Sequence, residues 1–372
     1  MKLTIERAAL LQSLNHVQSV VERRNTIPIL ANVLLRVEND GVTLTATDMD
    51  ISIVDTAPAD VRSDGETTAP AHTLYDIVRK LPEGAQIELD SNTEDGRLVL
   101  STGRSRFVLA TLPTADFPAM REDDLPHKFA MPAASLRALI DRTRFAISTE
   151  ETRYYLNGIY MHATEMDNVP VLRAVATDGH RLARVETPLP DGAAGMPGII
   201  IPRKTVNELR RLIDECDGDI DVALSDTKIR FAFDGTVLSS KLIDGTFPDY
   251  EKVIPTGNDK LLEIDCRQFA AAVDRVATIS TERSRSVKLE ISPNNLTLSA
   301  SSPEAGSARE EIEVSYDREP IEIGFNSKYL LDIAQQVEGE TVQILLSDGA
   351  SPTIVRDTAD SSALYVLMPM RV

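Results

Sequence analysis

Tryptophan is absent from the 372 residues, aromatic side chains make up 5%, and there are two cysteines and five histidines. Each shortage removes a class of function. Cys216 and Cys266 are too few for a disulfide framework or a thiolate zinc site, and read as small core or surface residues. So few aromatic rings leave little on which bases could stack. The histidines fall in no helical H-E-x-x-H, and G-x-S-x-G does not occur, so neither metalloprotease nor hydrolase signature is present. No apolar run approaches the roughly 20 residues of a membrane span. Lys2, Glu6 and Arg7 interrupt the start where a secretory signal needs an apolar core, which points to a cytoplasmic protein without a membrane partner. Positive charge is also scarce: 39 Lys and Arg stand against 58 Asp and Glu, a net charge of −19 that by itself disfavours a nucleic-acid partner.

What the chain does have is an internal repeat. Lys2-Leu3-Thr4-Ile5-Glu6-Arg7-Ala8-Ala9-Leu10 is echoed by Lys128–Leu136 and by Leu262–Phe269. Each copy alternates as a strand does and then takes helical spacing. A second set keeps step with the first: Leu74, Ile77 and Leu81 match Val206, Leu209 and Ile213, then Leu330, Ile333 and Val337. Both sets recur about every 130 residues, so three units account for the chain. Each unit carries strand, helix and strands twice over. The expected class is α+β, three tandem similar domains with bounds 1–122, 123–255 and 256–372, each with two helices on one face and antiparallel sheets outside.

Along the first unit the spacing predicts a helix over about 7–20 and a strand at 33–37. Asn39-Asp40-Gly41 marks a hairpin, followed by strands at 42–46 and 51–54, a helix at 72–81 and three more strands to Leu112. Pro113 to Pro126 reads as a linker. The second unit predicts strands at 158–163, 171–177 and 182–187, a loop at 188–198, and Ile199-Ile200-Ile201 before Pro202 opens a helix. Its close, Phe247-Pro248, echoes Phe117-Pro118, and the third unit ends in the apolar strand from Ala363.

The charges are unevenly placed. In the helix windows 7–24, 72–81, 134–145, 203–215, 267–276 and 326–337, fifteen basic residues face eight acidic ones, while the remainder is strongly acidic.

Few constellations look chemical. Asp178 and His180, within Thr177-Asp178-Gly179-His180-Arg181, suit a phosphoester hydrolase, but such a site needs a nucleophile or further ligands at the same point, and Asp-Gly is a common tight-turn pair. Gly103-Arg104-Ser105-Arg106 lacks the glycine spacing and lysine of a nucleotide loop. Its arginines, like Arg23-Arg24 and Arg203-Lys204, fit either a phosphate contact or a solvated turn. Tyr154-Tyr155-Leu156 and Val366-Leu367-Met368-Pro369-Met370 read as exposed apolar material: a buried terminus, or a pocket for a partner's side chains.

Pro28-Ile29-Leu30, Gly103–Phe107, Arg153-Tyr154-Tyr155-Leu156-Asn157-Gly158, Ala176–Leu182, Phe247-Pro248-Asp249-Tyr250 and Met368-Pro369-Met370-Arg371 run through all three units in an order that resembles the bacterial DNA polymerase III beta subunits, the sliding clamps. The resemblance implies a head-to-tail homodimeric ring with helices lining the hole. Such a ring encircles double-stranded DNA without reading its sequence, does no chemistry, and needs no catalytic residue, metal or cofactor. It would tether the polymerase III alpha subunit, the clamp-loader delta subunit, and other polymerases and repair proteins through short peptides.

The family's peptide pocket carries over onto Tyr155, Leu156, Thr177, Gly179, His180, Arg181 and Leu182 in the second unit. It continues with Pro248, Lys252, Val253, Asn326 and Tyr329, and ends on Val366, Leu367, Met368, Pro369, Met370 and Arg371. Lys252, Pro352 and Val372 depart from the residues usual there, which bears on the pocket's specificity. DNA contacts would fall at Arg24, Tyr154 and Lys204. The dimer seam would set Phe107 and Leu109 against Thr278 and Ile279, with Thr278 more polar than is usual in the family.

Overall fold

A computed structural model describes residues 1–92, 96–118, 124–280 and 285–371. Part of the expected linker, the boundary at 122/123 and Val372 lie outside the described residues.

Six helices recur in the predicted places: α1 (Arg7–Gln18), α2 (Ala71–Lys80), α3 (Ala133–Asp141), α4 (Arg203–Leu212), α5 (Cys266–Ala277) and α6 (Ser327–Ala334). Helices α1, α3 and α5 each follow directly on a strand, Lys2–Glu6, His127–Pro132 and Lys260–Asp265. Each of α2, α4 and α6 follows a strand and precedes another, as the second register requires. Apolar spacing explains the buried faces: Leu10, Leu14 and Val17 in α1, and Phe269, Ala272, Val273 and Val276 in α5, lie three or four residues apart and are buried. Asp265 caps α5 by accepting from Gln268 N at 2.7 Å, and Asn326 caps α6 by accepting from Lys328 N at 3.0 Å.

Four helices, α1, α3, α4 and α6, are shorter than predicted. α1 stops at Gln18, so Arg23 and Arg24 stand in the irregular stretch beyond it, and 144–146 and 213–215 form separate 3₁₀ turns. With these bounds the six helices still carry more basic than acidic residues. Several of those bases already have partners. Arg7 donates to the carbonyls of Val78 and Arg79, Arg211 to Glu208 and to the last carbonyls of α1, and Arg275 to Glu310.

The chain divides into two compact units. The first comprises Met1–Ala134, Pro190–Ala193 and Asn207–Leu242. It holds a five-stranded antiparallel sheet in the order Asp60–Ser63, Lys2–Glu6, Gln86–Asp90, Leu98–Thr102, Ser105–Leu109. Its eight-stranded sheet runs His127–Pro132, Asp219–Leu224, Lys228–Phe233, Thr236–Lys241, Ile51–Pro58, Gly41–Thr47, Asn32–Glu38, Gly65–Pro70. The second unit comprises Ser135–Leu189, Ala194–Val206 and Ile243–Val372. Its eight-stranded sheet runs Ile199–Pro202, Gly158–Met166, Val169–Thr177, Arg181–Pro188, Ala363–Leu367, Thr353–Asp357, Thr341–Leu346, Lys260–Asp265. A four-stranded sheet begins at Gly306–Glu313 and ends at Ile321–Asn326.

The second repeat is therefore shared between the two units. Thr236–Lys241 pairs with Ile51–Pro58 of the first repeat, and Arg181–Pro188 pairs with Ala363–Leu367 of the third. Sheets that run on across a repeat boundary bind neighbouring repeats by backbone hydrogen bonds as well as by packing. The strands Asp60–Ser63 and Gly65–Pro70 are not anticipated by the sequence pattern, since their polar run Arg62-Ser63-Asp64-Gly65-Glu66 hides the period.

Candidate functional site

The site begins with a turn. Thr177 to Arg181 joins two strands, and its polar side chains satisfy its own backbone. Thr177 Oγ1 donates to Arg181 O at 2.7 Å and accepts from Gly179 N at 3.1 Å. Asp178 Oδ1 accepts from His180 N and Arg181 N at 2.9 and 3.0 Å, while Oδ2 accepts from Arg181 Nε at 3.1 Å. Both carboxylate oxygens are thus engaged locally, and the hydrolase reading of Asp178 and His180 fails. Among the described residues no group of three His, Cys, Asp or Glu could hold a metal. Gly179 takes φ +89°, where a glycine is favoured.

The first repeat contains the same turn. Thr47 Oγ1 donates to Ile51 O at 2.8 Å and accepts from Met49 N at 3.0 Å, and Asp48 Oδ1 accepts from Asp50 N and Ile51 N. Met49 stands at the position of Gly179, with φ +82°.

Beside the second turn lies a cleft of about 330 Å³, within the size range of ligand sites. Buried Leu156, Leu182, Tyr250 and Val366 line it, and beneath them lie Val175, Ile200, Phe247, Ile354 and Leu364. Thr177, Gly179 and Arg181 come from the turn, Tyr155 from the 3₁₀ stretch Glu151–Leu156, and Pro248 and Val253 from the segment after the second repeat's closing strand. Met368 closes the rim at 39% exposure. Ten residues carried over from the family pattern thus converge on one apolar recess.

Three further lining residues were missed: Arg153, Asp249 and Tyr250. Arg153 and Tyr250 stand inside the very motifs that carry the resemblance, and only the fold shows that they turn toward the cleft. Arg153 is held by Glu150 through bonds of 2.8 and 2.7 Å and donates to Asp178 O at 3.1 Å.

The remaining expected residues fall elsewhere. His180 and Tyr329 border a neighbouring recess of about 450 Å³ with Arg144, Glu150, Arg203 and Lys328. Arg181 lines both recesses, its guanidinium 4.3 Å from the Tyr329 ring centre and 5.0 Å from that of Phe145, with a further ion pair to Asp332. Pro369, Met370 and Arg371 line a third recess of about 590 Å³ with Lys288, Glu322 and Gly349. Asn326 is the α6 cap. Lys252 is exposed and paired with Asp249 at 2.9 Å, and the Pro352 carbonyl accepts from Asn258 Nδ2 at 2.9 Å.

The expectation of exposed apolar runs needs correction. Leu156, Val366 and Leu367 are buried, because Ala363–Leu367 is an interior strand with partners on both sides. Tyr154, at 53% exposure, and Met368 are what remains outside.

Arg24 is exposed beyond α1, and Lys204 is half-buried in the first turn of α4. Phe107 is half-buried and Leu109 buried on the marginal strand Ser105–Leu109, where Val108 is the outward apolar residue at 44%. Thr278 caps the C-terminus of α5 and is exposed, with Ile279 half-buried beside it.

Family models for the DNA polymerase III beta subunit match in sequence order: the N-terminal domain over residues 1–121, the central domain over 130–249 and the C-terminal domain over 251–371. The chain is 56% identical to the beta sliding clamp of Caulobacter vibrioides and 40% identical to that of Escherichia coli K12, each match spanning all of both chains. A crystal structure of the Caulobacter crescentus beta sliding clamp superposes with a TM-score of 0.98 at 56% identity, covering 100% of this chain and 99% of that one. The sliding clamp of Bartonella birtlesii bound to griselimycin superposes with a TM-score of 0.97 at 49% identity, covering both chains fully. With three domain models in register and relatives matched from end to end, the chain belongs to the DNA polymerase III beta subunit family, the beta sliding clamps.

Proposed function

We propose that two copies of the chain close head to tail around duplex DNA, and that the apolar cleft of the second unit receives short peptides of polymerases and other replication and repair proteins. The observation that carries the peptide reading is the cleft itself: an apolar recess of about 330 Å³ floored by a packed core and rimmed by exposed Val253 and Met368. Such a rim suits apolar anchors, and methionine adapts to more than one of them. The polymerase III alpha subunit and the clamp-loader delta subunit are the proposed partners, and the cytoplasm the proposed site of action. No helix among the described residues is long and apolar enough to cross a membrane.

Two marginal strands support the dimer. Ser105–Leu109 ends the five-stranded sheet and carries Arg106 beside Arg104, while Gly306–Glu313 begins the four-stranded sheet and carries Glu310, Glu311 and Glu313. An open strand edge is a template for pairing with another chain, and these two have opposite charge. A contact between unlike surfaces that closes after two copies gives a ring. The domain bounds 1–122, 123–255 and 256–372 remain our reading of its three modules. For DNA, the basic excess of the helices with Arg24 and Lys204 supplies a diffuse field rather than base contacts, and Tyr154 adds a neutral hydroxyl for the backbone.

The test is topological. Protein loaded on nicked circular DNA should stay through gel filtration at moderate salt and be lost once the circle is cut. Retention on linear DNA with free ends would contradict encirclement.

A further inference from the structure

Behind the lining residue Tyr250 lies a polar network centred on buried Arg173, which does not itself line the cleft. Arg173, on Val169–Thr177, is 3% exposed and donates from Nε to Glu186 Oε1 at 2.6 Å. Its Nη1 reaches Glu251 Oε1 at 2.7 Å and the Tyr250 hydroxyl at 2.8 Å. His162 Nε2 lies 2.9 Å from the same hydroxyl. Arg173 can only donate, so the Tyr250 oxygen accepts from it and its own proton is free to go to a neutral His162. With His162 neutral and its Nε2 unprotonated, Tyr250 serves both partners at once, accepting from Arg173 and donating to His162.

We propose that Arg173 and His162 act as positioning residues for the cleft: they clamp the Tyr250 hydroxyl and thereby hold the wall formed by Pro248, Asp249 and Val253. The proposal rests on the cleft being the peptide site. The lever is short, since Tyr250 and Val253 belong to one 3₁₀ turn, Tyr250–Val253, and the Tyr250 ring packs edge-on against Phe247 at 6.5 Å.

His162 makes the clamp sensitive to acid. It is faced by Tyr160 stacked at 4.8 Å from its own strand, by Arg173 on the next, by Glu186 on Arg181–Pro188, and by Tyr250 and Glu251 on the turn. Burial and the neighbouring Arg173 cation hold its ring below the usual histidine range, against the opposing pull of a backbone hydrogen bond at Ala163 and of Glu251 and Glu186. The ring is therefore neutral at pH 7 and accepts from Tyr250. Once protonated it can only donate, the hydroxyl loses its acceptor, and two cations face each other across it.

The probe is a fluorescein-labelled peptide from the C-terminus of the polymerase III alpha subunit, with affinity read by anisotropy between pH 5 and pH 8. Wild-type affinity should fall on acidification. Tyr250→Phe keeps the ring and its packing, and should bind about five- to tenfold more weakly at pH 7.5 with a flattened pH profile. His162→Gln keeps an acceptor, so it should bind like wild type at pH 7.5 and lose the fall in acid. A merely structural role would lower the melting temperature of Tyr250→Phe and leave affinity and its pH profile unchanged, which overturns the proposal. A wild-type protein that does not bind the peptide at any pH would sink the cleft assignment itself, a distinct outcome.

Discussion

The guanidinium of Arg153 occupies the space that a side chain at residue 179 would need: a Cβ built on Gly179 falls 2.5 Å from Arg153 Nη1. Arg153 in turn bridges Glu150 and the Asp178 carbonyl at the mouth of the cleft. A turn of five local hydrogen bonds and a glycine thus decide where a charged arm rests.

Gly179→Ala should destabilise the fold by about 1 kcal/mol from its left-handed φ, and should also displace Arg153. Because Met49 tolerates φ +82° in the matching turn, the turn itself will survive. Peptide affinity should change by more than the melting temperature suggests. Anisotropy and calorimetry on the same variant decide it, and an unchanged affinity would show that Arg153 has no part in the cleft.

The proposed seam is open to a charge test. Thr278 is exposed and Ile279 half-buried at the end of α5, which reaches Gly306–Glu313 through the Arg275–Glu310 ion pair. Glutamate at both positions would bring two unpartnered charges into a contact and should give monomers, with the subunit fold intact. Sedimentation velocity reads this directly, and a persisting dimer would displace the seam from these residues.

Asp55 links stability to pH in the first unit. Burial raises its carboxyl, but hydrogen bonds with His16, Ser13 and Thr236 outweigh that and hold it below the usual aspartate range. A depressed folded value means that its contribution is complete above the unfolded value, and is lost as pH falls through the folded one. Asp55→Ala should cost about 2 to 4 kcal/mol at pH 7, since it leaves the Thr236 hydroxyl and the His16 ring without their acceptor. Urea titrations at pH 7 and pH 3 should show the difference between variant and wild type shrinking in acid.

Truncation after Leu367 separates wall from core. Met368 N donates to His180 O at 2.9 Å and Met370 N to Gly324 O at 2.8 Å, whereas the strand Ala363–Leu367 keeps its full pairing without them. Losing part of a wall worth about 1.5 to 3 kcal/mol per anchor should weaken peptide binding roughly ten- to a hundredfold. The two lost backbone bonds should cost only about 1 to 2 kcal/mol of stability. A large fall in melting temperature with unchanged peptide affinity would make the tail part of the core.

The elements of this fold were legible because its repeat is written in apolar spacing. Ile5, Met131 and Ile264 each precede a helix in the structure as they do in the pattern. The sheet joints were not. Leu238 pairs with Ile53, and Leu182 with Val366, across separations that no local period reports. That same pairing buries Leu367, which a reading of the terminal run alone leaves outside. The cleft as a whole was legible only through motif resemblance, and Tyr250 and Arg153 show its limit: they are held by hydrogen bonds to Arg173, His162 and Glu150 that no motif announces.

The paired turns at Thr47 and Thr177 also preserve a history. If the repeats descend from one duplicated module, the threonine and aspartate whose side chains close the turn have been retained in both copies. The residue that follows them is methionine in one copy and glycine in the other, at a similar positive φ. One closed frame thus carries a different set of side chains in each copy, with Asp50 and Ile51 in the first where His180 and Arg181 stand in the second.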